Sequence, residues 1–261
     1  MTDDRERYLR IQAELGGPEV VLRMDSVRLP VSPSTPPDQS VSPGVRPKKD
    51  WRTDAPPIPG PGLTITSPAS TDLLSGPPPF ESLDEIAGVV STCEKCTLCS
   101  TRRKTVPGEG NPQARLMCVG EGPGETEDQT GRPFVGRAGE LLTAMLAAIE
   151  LPREEVFIAN IVKCRPPQNR KPLPDEMEAC LPYLRRQIQL IKPTVLLALG
   201  STAAEGLLSV KRSLGELRLK VHRWDGIPLI VTYHPAALLR NPNWKKPAWD
   251  DVRIARQLLG D

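Results

Sequence analysis

Residues 81–261 predict an α/β fold, a three-layer αβα sandwich around a four-stranded parallel sheet, and three observations carry that prediction. Short apolar runs at 115–119, 156–162, 195–199 and 229–233 lack strict alternation, as strands buried on both faces do. Amphipathic helical patterns at 138–149, 174–191 and 202–208 separate them, and another at 247–259 closes the chain. The segments that follow the strands are rich in glycine and polar side chains, and the carboxyl ends of parallel strands are where such a sheet gathers its ligands.

In chain order, the first 80 residues stand apart. They hold half of the thirty prolines, in stretches such as Ala55-Pro-Pro-Ile-Pro-Gly-Pro61, with little apolar surface to bury. We expect residues 1–80 to be a disordered extension, with one candidate helix over 4–15 that could serve as a partner-binding tip. The first strand runs into Gly120-Glu-Gly-Pro-Gly-Glu-Thr-Glu-Asp128, where glycines allow close backbone approach to a ligand. A dinucleotide loop fits poorly there, because the glycine spacing fails and the acidic side chains would repel a pyrophosphate. The second strand leads to Lys163-Cys-Arg-Pro-Pro-Gln-Asn169, and the fourth delivers His234, one of two histidines, at the head of His234-Pro-Ala-Ala-Leu-Leu-Arg-Asn-Pro242. The closing helix carries a proline in its first turn, where the missing N–H is harmless.

Four of the six cysteines suggest one metal site: Cys93 and Cys96 in a Cys-Glu-Lys-Cys turn, and Cys164 and Cys180 further on. Soft thiolates suit zinc and iron–sulphur clusters alike, and spacing does not choose between them, although zinc is the commoner answer. Cys96 with Cys99 is an alternative ligand pair, and Cys118 reads as a small buried hydrophobe. A disulfide framework is disfavoured, since the chain is long enough for an ordinary core and shows no secretory signal; a reducing compartment is expected. The net charge of +2 does not itself point to nucleic acid. Local basic clusters at 102–104, 165–171, 211–212 and at Arg240, Lys245 and Lys246 are candidate phosphate contacts. No stretch is apolar enough to span a membrane.

The strings GEGPGETED, Gly131-Arg-Pro-Phe-Val-Gly-Arg-Ala-Gly139, NIVKCRPPQNRKPLPDE from Asn160 and HPAALLRNP, in this order and with these cysteines, resemble the family 4 uracil-DNA glycosylases over about residues 81–261. The resemblance implies a DNA repair enzyme that flips uracil out of DNA and hydrolyses its N-glycosidic bond, leaving an abasic site. It implies a structural 4Fe-4S cluster on Cys93, Cys96, Cys164 and Cys180, which replaces the zinc reading. It implies that His234 stabilises charge on uracil O2, that Asn160 reads the uracil edge, and that Phe134 stacks on the base. Glu121 and Glu127 become the candidates for positioning water, and Gly122 lines the substrate site where better-known uracil glycosylases carry an aspartate. Leu238 and Leu239 would press on the gap left by the flipped nucleotide, with Arg240 on the backbone.

The expected setting is a monomer acting on uracil-containing DNA in the cytoplasm of a prokaryote, at the nucleoid, with no membrane partner. Two alternatives are set beside turnover. One is covalent capture, as in a neighbouring family whose basic loop ends in a sugar-trapping histidine; here Lys211-Arg212-Ser213-Leu214 begins similarly, but the next histidine is His222. The other is a metal-stapled binding module without catalysis, which would bind uracil-containing and normal DNA alike.

Overall fold

A computed structural model describes residues 50–66 and 80–260. The four predicted strands form the centre of the sheet: β3 (Leu116–Gly120), β4 (Phe157–Asn160), β5 (Val195–Leu199) and β7 (Ile227–Thr232), all parallel to their neighbours in the order β7-β5-β3-β4.

The sheet has seven strands rather than the expected four, because three short elements extend its edges: β1 (Pro61–Ile65), β2 (Glu109–Gly110) and β6 (Val221–Trp224), giving the order β1-β6-β7-β5-β3-β4-β2. Each added strand lacks the apolar run that marks a central strand. In β6, Val-His-Arg-Trp mixes charge with apolar residues, and what fixes it is the turn behind it. Asp225 and Gly226 both take positive φ (47° and 83°), which suits a tight antiparallel hairpin onto β7. β1 begins at a proline, tolerated at a sheet edge, and pairs parallel to β6.

The position of β1 moves the expected domain boundary. Residues 50–66 belong to the folded unit: Trp51 is buried, Arg253 donates to the Thr53 carbonyl at 3.0 Å, and Gln257 Nε2 donates to the Pro56 carbonyl at 2.9 Å. The proline-rich stretch therefore folds by lying on the closing helix and the sheet edge, supplying carbonyls and needing few donors of its own. The candidate helix over 4–15 and the partner-binding tip lie outside the described residues.

Alternate side chains of the central strands enter two cores. Met117, Val119, Leu196, Ala198, Leu229 and Val231 face one layer, with α4 (Pro174–Ile191) and α5 (Ser201–Leu208). Leu116, Cys118, Leu197, Leu199 and Ile230 face the other, with α3 (Arg137–Ala148) and α8 (Lys245–Leu258). This double burial is why the strands read as continuous apolar runs. The four predicted helices agree with α3, α4, α5 and α8 to within two residues at either end. The shorter helices α1 (Leu83–Ser91), α2 (Glu125–Thr130), α6 (Leu214–Leu217) and α7 (Pro235–Arg240) complete the described fold.

Candidate active site

The four parallel strands end on one edge, and the loops after them enclose an open cavity of about 660 Å³. Gly120 ends β3 beside Asn160, which ends β4 in the paired register. A Cβ on Gly120 would lie 2.4 Å from Asn160 Oδ1 and 2.6 Å from Phe134 Cζ, so glycine alone leaves the slot between these groups open. At Gly122 a Cβ would stand 2.7 Å from Val162 Cγ2, and any side chain there requires Val162 to move.

Asn160 is 1 % exposed, and its Oδ1 is buried without a hydrogen-bond partner. A buried carbonyl oxygen left unpaired costs roughly 1–3 kcal/mol, and a ligand N–H would remove that cost. The Asn160 main-chain carbonyl is meanwhile held by the buried Lys163 ammonium at 3.0 Å, and Gln187 Oε1 accepts from the same ammonium at 2.7 Å.

Phe134 occupies the left-handed region (φ 49°), an unusual conformation for an aromatic residue, and its surroundings hold it there. Arg153 donates to the carbonyls of Phe134 and Pro133 at 3.0 and 2.5 Å. Glu127 Oε1 accepts from the Val135 and Gly136 amides at 2.9 and 3.0 Å. Gly139 lets the Phe134 carbonyl settle against α3, where a Cβ would meet it at 1.9 Å. The Phe134 ring lies 5.5 Å from the His234 ring, centroid to centroid, tilted by 32°.

His234 follows β7 and caps α7: its Nδ1 accepts from the Ala236 amide at 3.2 Å. An accepting Nδ1 places the proton of the neutral ring on Nε2. Burial pushes the His234 pKa down to about 4, Arg240 adds to the depression, and Glu127 opposes it. The ring is therefore neutral at physiological pH, and its Nε2–H is available as a donor. The sequence could not reveal this, because the tautomer depends on the helix that follows.

The two candidate carboxylates differ in their engagement. Glu121 lines the cavity and accepts from Thr202 Oγ1, at the start of α5, at 2.5 Å. Glu127 also lines the cavity, but one of its oxygens caps the Phe134 loop.

Of the two consecutive leucines on α7, Leu238 is 1 % exposed and Leu239 38 %. This corrects the expectation that both press on DNA: successive helical residues point about 100° apart, so when one faces the core the next faces out. Arg240 is exposed at the cavity rim. Arg102 is likewise withdrawn from the phosphate candidates, since it donates to the carbonyls of Cys93 and Ser91. Arg170 and Lys171 are paired with Glu176 and Glu205. His222, the histidine weighed for sugar capture, is buried on β6, where Nδ1 accepts from the Leu63 amide at 3.0 Å and Nε2 contacts the Leu217 carbonyl at 2.7 Å.

A second cavity, on the side of the loops before β2 and after β4, is ringed by Cys93, Cys96, Cys164 and Cys180, while Cys99 does not line it. Arg102 Nη1 and the Lys163 amide donate to Cys164 and Cys180 Sγ at 3.5 and 3.3 Å, and the Tyr183 hydroxyl lies 3.5 Å from Cys93 Sγ. Burial raises the thiol pKa of Cys96 and Cys164 and pushes that of Cys180 up to about 12. Cys118 is fully buried in β3, as a small core hydrophobe.

Sequence reasoning missed Thr202, Lys163 and the pair Tyr233 and Trp244. Only Trp244 carries a local signal, an aromatic residue next to two lysines just after a turn.

The family model described as "Uracil DNA glycosylase superfamily" matches residues 107–253, and the chain belongs to that superfamily. Within it the chain is similar to the Type-4 uracil-DNA glycosylase of Saccharolobus solfataricus, 47 % identical over 189 residues (69 % of this chain, 88 % of the relative). It is also similar to that of Thermotoga maritima, 47 % identical over 183 residues (69 % and 95 %). A Type-5 uracil-DNA glycosylase of Thermus thermophilus is 33 % identical over 151 residues (50 % and 68 %).

Proposed function

We propose that this protein excises uracil from DNA, hydrolysing the bond between uracil N1 and deoxyribose C1′ to release the free base and leave an abasic site for repair. The observation that carries the reading is one cavity holding both a buried acceptor without a partner, Asn160 Oδ1, and a donor, the Nε2–H of neutral His234. Uracil needs both. Its N3–H donates to the Asn160 carbonyl oxygen, and the asparagine NH₂ donates to O4, a pattern that cytosine reverses.

As the N1–C1′ bond breaks, its electron pair moves to the base and positive charge develops on the sugar. A His234 hydrogen bond to O2 that strengthens with this charge contributes about 3–4 kcal/mol in a water-poor site, the scale of one oxyanion donor. Phe134 stacks on the base, and its restrained backbone keeps the ring in place before substrate arrives. Water adds to C1′ and loses a proton, while the departing uracil anion takes one up. Glu121, held by Thr202, orients that water and favours the cationic sugar; Glu127 acts through the Phe134 loop. Leu239 presses on the vacated base stack and Arg240 meets the strand's phosphates.

The four cysteines fit a 4Fe-4S cluster. They line one cavity as four soft thiol donors, the number that gives each iron of such a cluster its own thiolate. Bound there, the cluster supplies a rigid tie between the loop carrying Cys93 and Cys96 and the segments carrying Cys164 and Cys180; the hydrolysis itself is redox-neutral. We further propose that the protein acts as a monomer in the cytoplasm of a prokaryote; among the described residues no helix is long and apolar enough to cross a membrane.

Release of free uracil from a single-uracil oligonucleotide, with a His234→Ala control and an absorption spectrum of the same anaerobic sample, tests the proposal. Release with loss in the variant supports it. Equal binding of uracil-containing and normal DNA, without release from either, establishes a binding module instead.

A further inference from the structure

Trp244 is 39 % exposed and lines the rim of the uracil cavity. Its ring stacks on Tyr233, the residue before His234, at 4.9 Å between centroids and 12° between planes. Tyr233 is braced from below: the Arg218 guanidinium sits 4.4 Å from its ring centroid and reaches its hydroxyl at 3.3 Å. Arg218 is in turn fixed by two hydrogen bonds to buried Asp251, at 2.7 and 3.0 Å. This backed aromatic stack ends in an exposed indole beside Arg240, Lys245 and Lys246, all exposed.

We propose that Trp244 is a stacking platform for the nucleobase next to uracil on the same strand, and that it recognises this base when unstacked, as in single-stranded DNA. The argument rests on the proposed uracil excision, which places the flipped nucleotide in the adjoining cavity. From there the strand crosses the rim, and the basic side chains around Trp244 match its phosphates. An exposed, rigidly backed indole gives any base a π-face at small entropic cost, since its χ angles are already held by Tyr233. In a duplex the neighbouring base keeps its own stacking partners and gains little from the platform. A purely structural Trp244, covering Tyr233, would make no distinction between strands.

The test is a double-mutant cycle in binding, on oligonucleotides carrying 2′-fluoro-deoxyuridine so that bond cleavage is suppressed. The base 5′ or 3′ to the uracil is replaced, one at a time, by an abasic tetrahydrofuran. In wild-type protein, removing one of these two bases from single-stranded DNA weakens binding about fivefold or more, the loss of one base–aromatic stack. Trp244→Ala loses the same affinity and becomes indifferent to that base, Trp244→Phe keeps part of the response, and the duplex responds several-fold less in wild type. Wild type and Trp244→Ala responding equally to base removal overturns the proposal, as does a Trp244→Ala defect of the same size on both strand forms. Absence of uracil release by wild type would refute the excision reading, whereas the binding cycle reports on the platform by itself.

Discussion

Lowering the pH from 8 to 4 separates two ways in which His234 could serve the reaction. With a pKa pushed down to about 4 by burial, only about one His234 ring in a thousand is protonated at pH 7. If the imidazolium were the working donor, single-turnover uracil release would rise about tenfold for each pH unit lowered toward that pKa. With the neutral Nε2–H as donor, the rate stays flat from pH 8 to about 5 and falls as the ring protonates near pH 4. Stability follows the same proton. The unfolded chain binds it near the ordinary histidine value of 6.5 and the folded chain only near 4, so this contribution is complete above 6.5 and is lost between 6.5 and 4. That interval corresponds to about 3 kcal/mol. Denaturant melts at pH 7 and pH 4.5 should show it in wild type and lack it in His234→Ala, whose kcat should also be lower by about 10²–10³. A log-rate slope of minus one per pH unit between 8 and 5 would refute the neutral-donor argument.

Asn160→Ala removes the acceptor left unpaired in the cavity and should lower kcat/KM for uracil release by about ten- to a hundredfold, an effect of roughly 1–3 kcal/mol, with little change in melting temperature. Gly120→Ala places a methyl group between Asn160 Oδ1 and the Phe134 ring; a folded protein with strongly impaired release is expected, and wild-type turnover would show that the slot is not used. Glu121→Gln should lower kcat and leave stability near wild type, whereas Glu127→Ala should lower the melting temperature as well, because two loop amides lose their cap; thermal melts beside single-turnover rates separate the two carboxylates. Cys164→Ser should bleach the visible absorption of the purified protein and destabilise it, while Cys99→Ser should keep the colour.

What the sequence determined unaided was the centre of the protein. Four strands buried on both faces must be continuous apolar runs, so β3, β4, β5 and β7, and the helices packed on them, were legible from local pattern. The segments after those strands pointed to the glycine-rich loop from Gly120 and to His234, whereas the role expected of Asn160 came from the family resemblance. Tertiary structure decided what depends on partners distant in the chain. β1 and β6 are specified by pairing and a two-residue turn rather than by a continuous apolar run, so proline-rich residues 50–66 joined the fold. Leu238 and Leu239 are alike in sequence, and only the helix's seating sends one into the core. The His234 tautomer is set by the Ala236 amide, the different tasks of Glu121 and Glu127 by Thr202 and by two loop amides, and the exposure of Trp244 by Tyr233 beneath it. Periodicity records which side of an element meets the core; a hydrogen bond or a stacked ring between separate elements leaves no periodic trace, and these are the interactions that turn a fold's edge into a site.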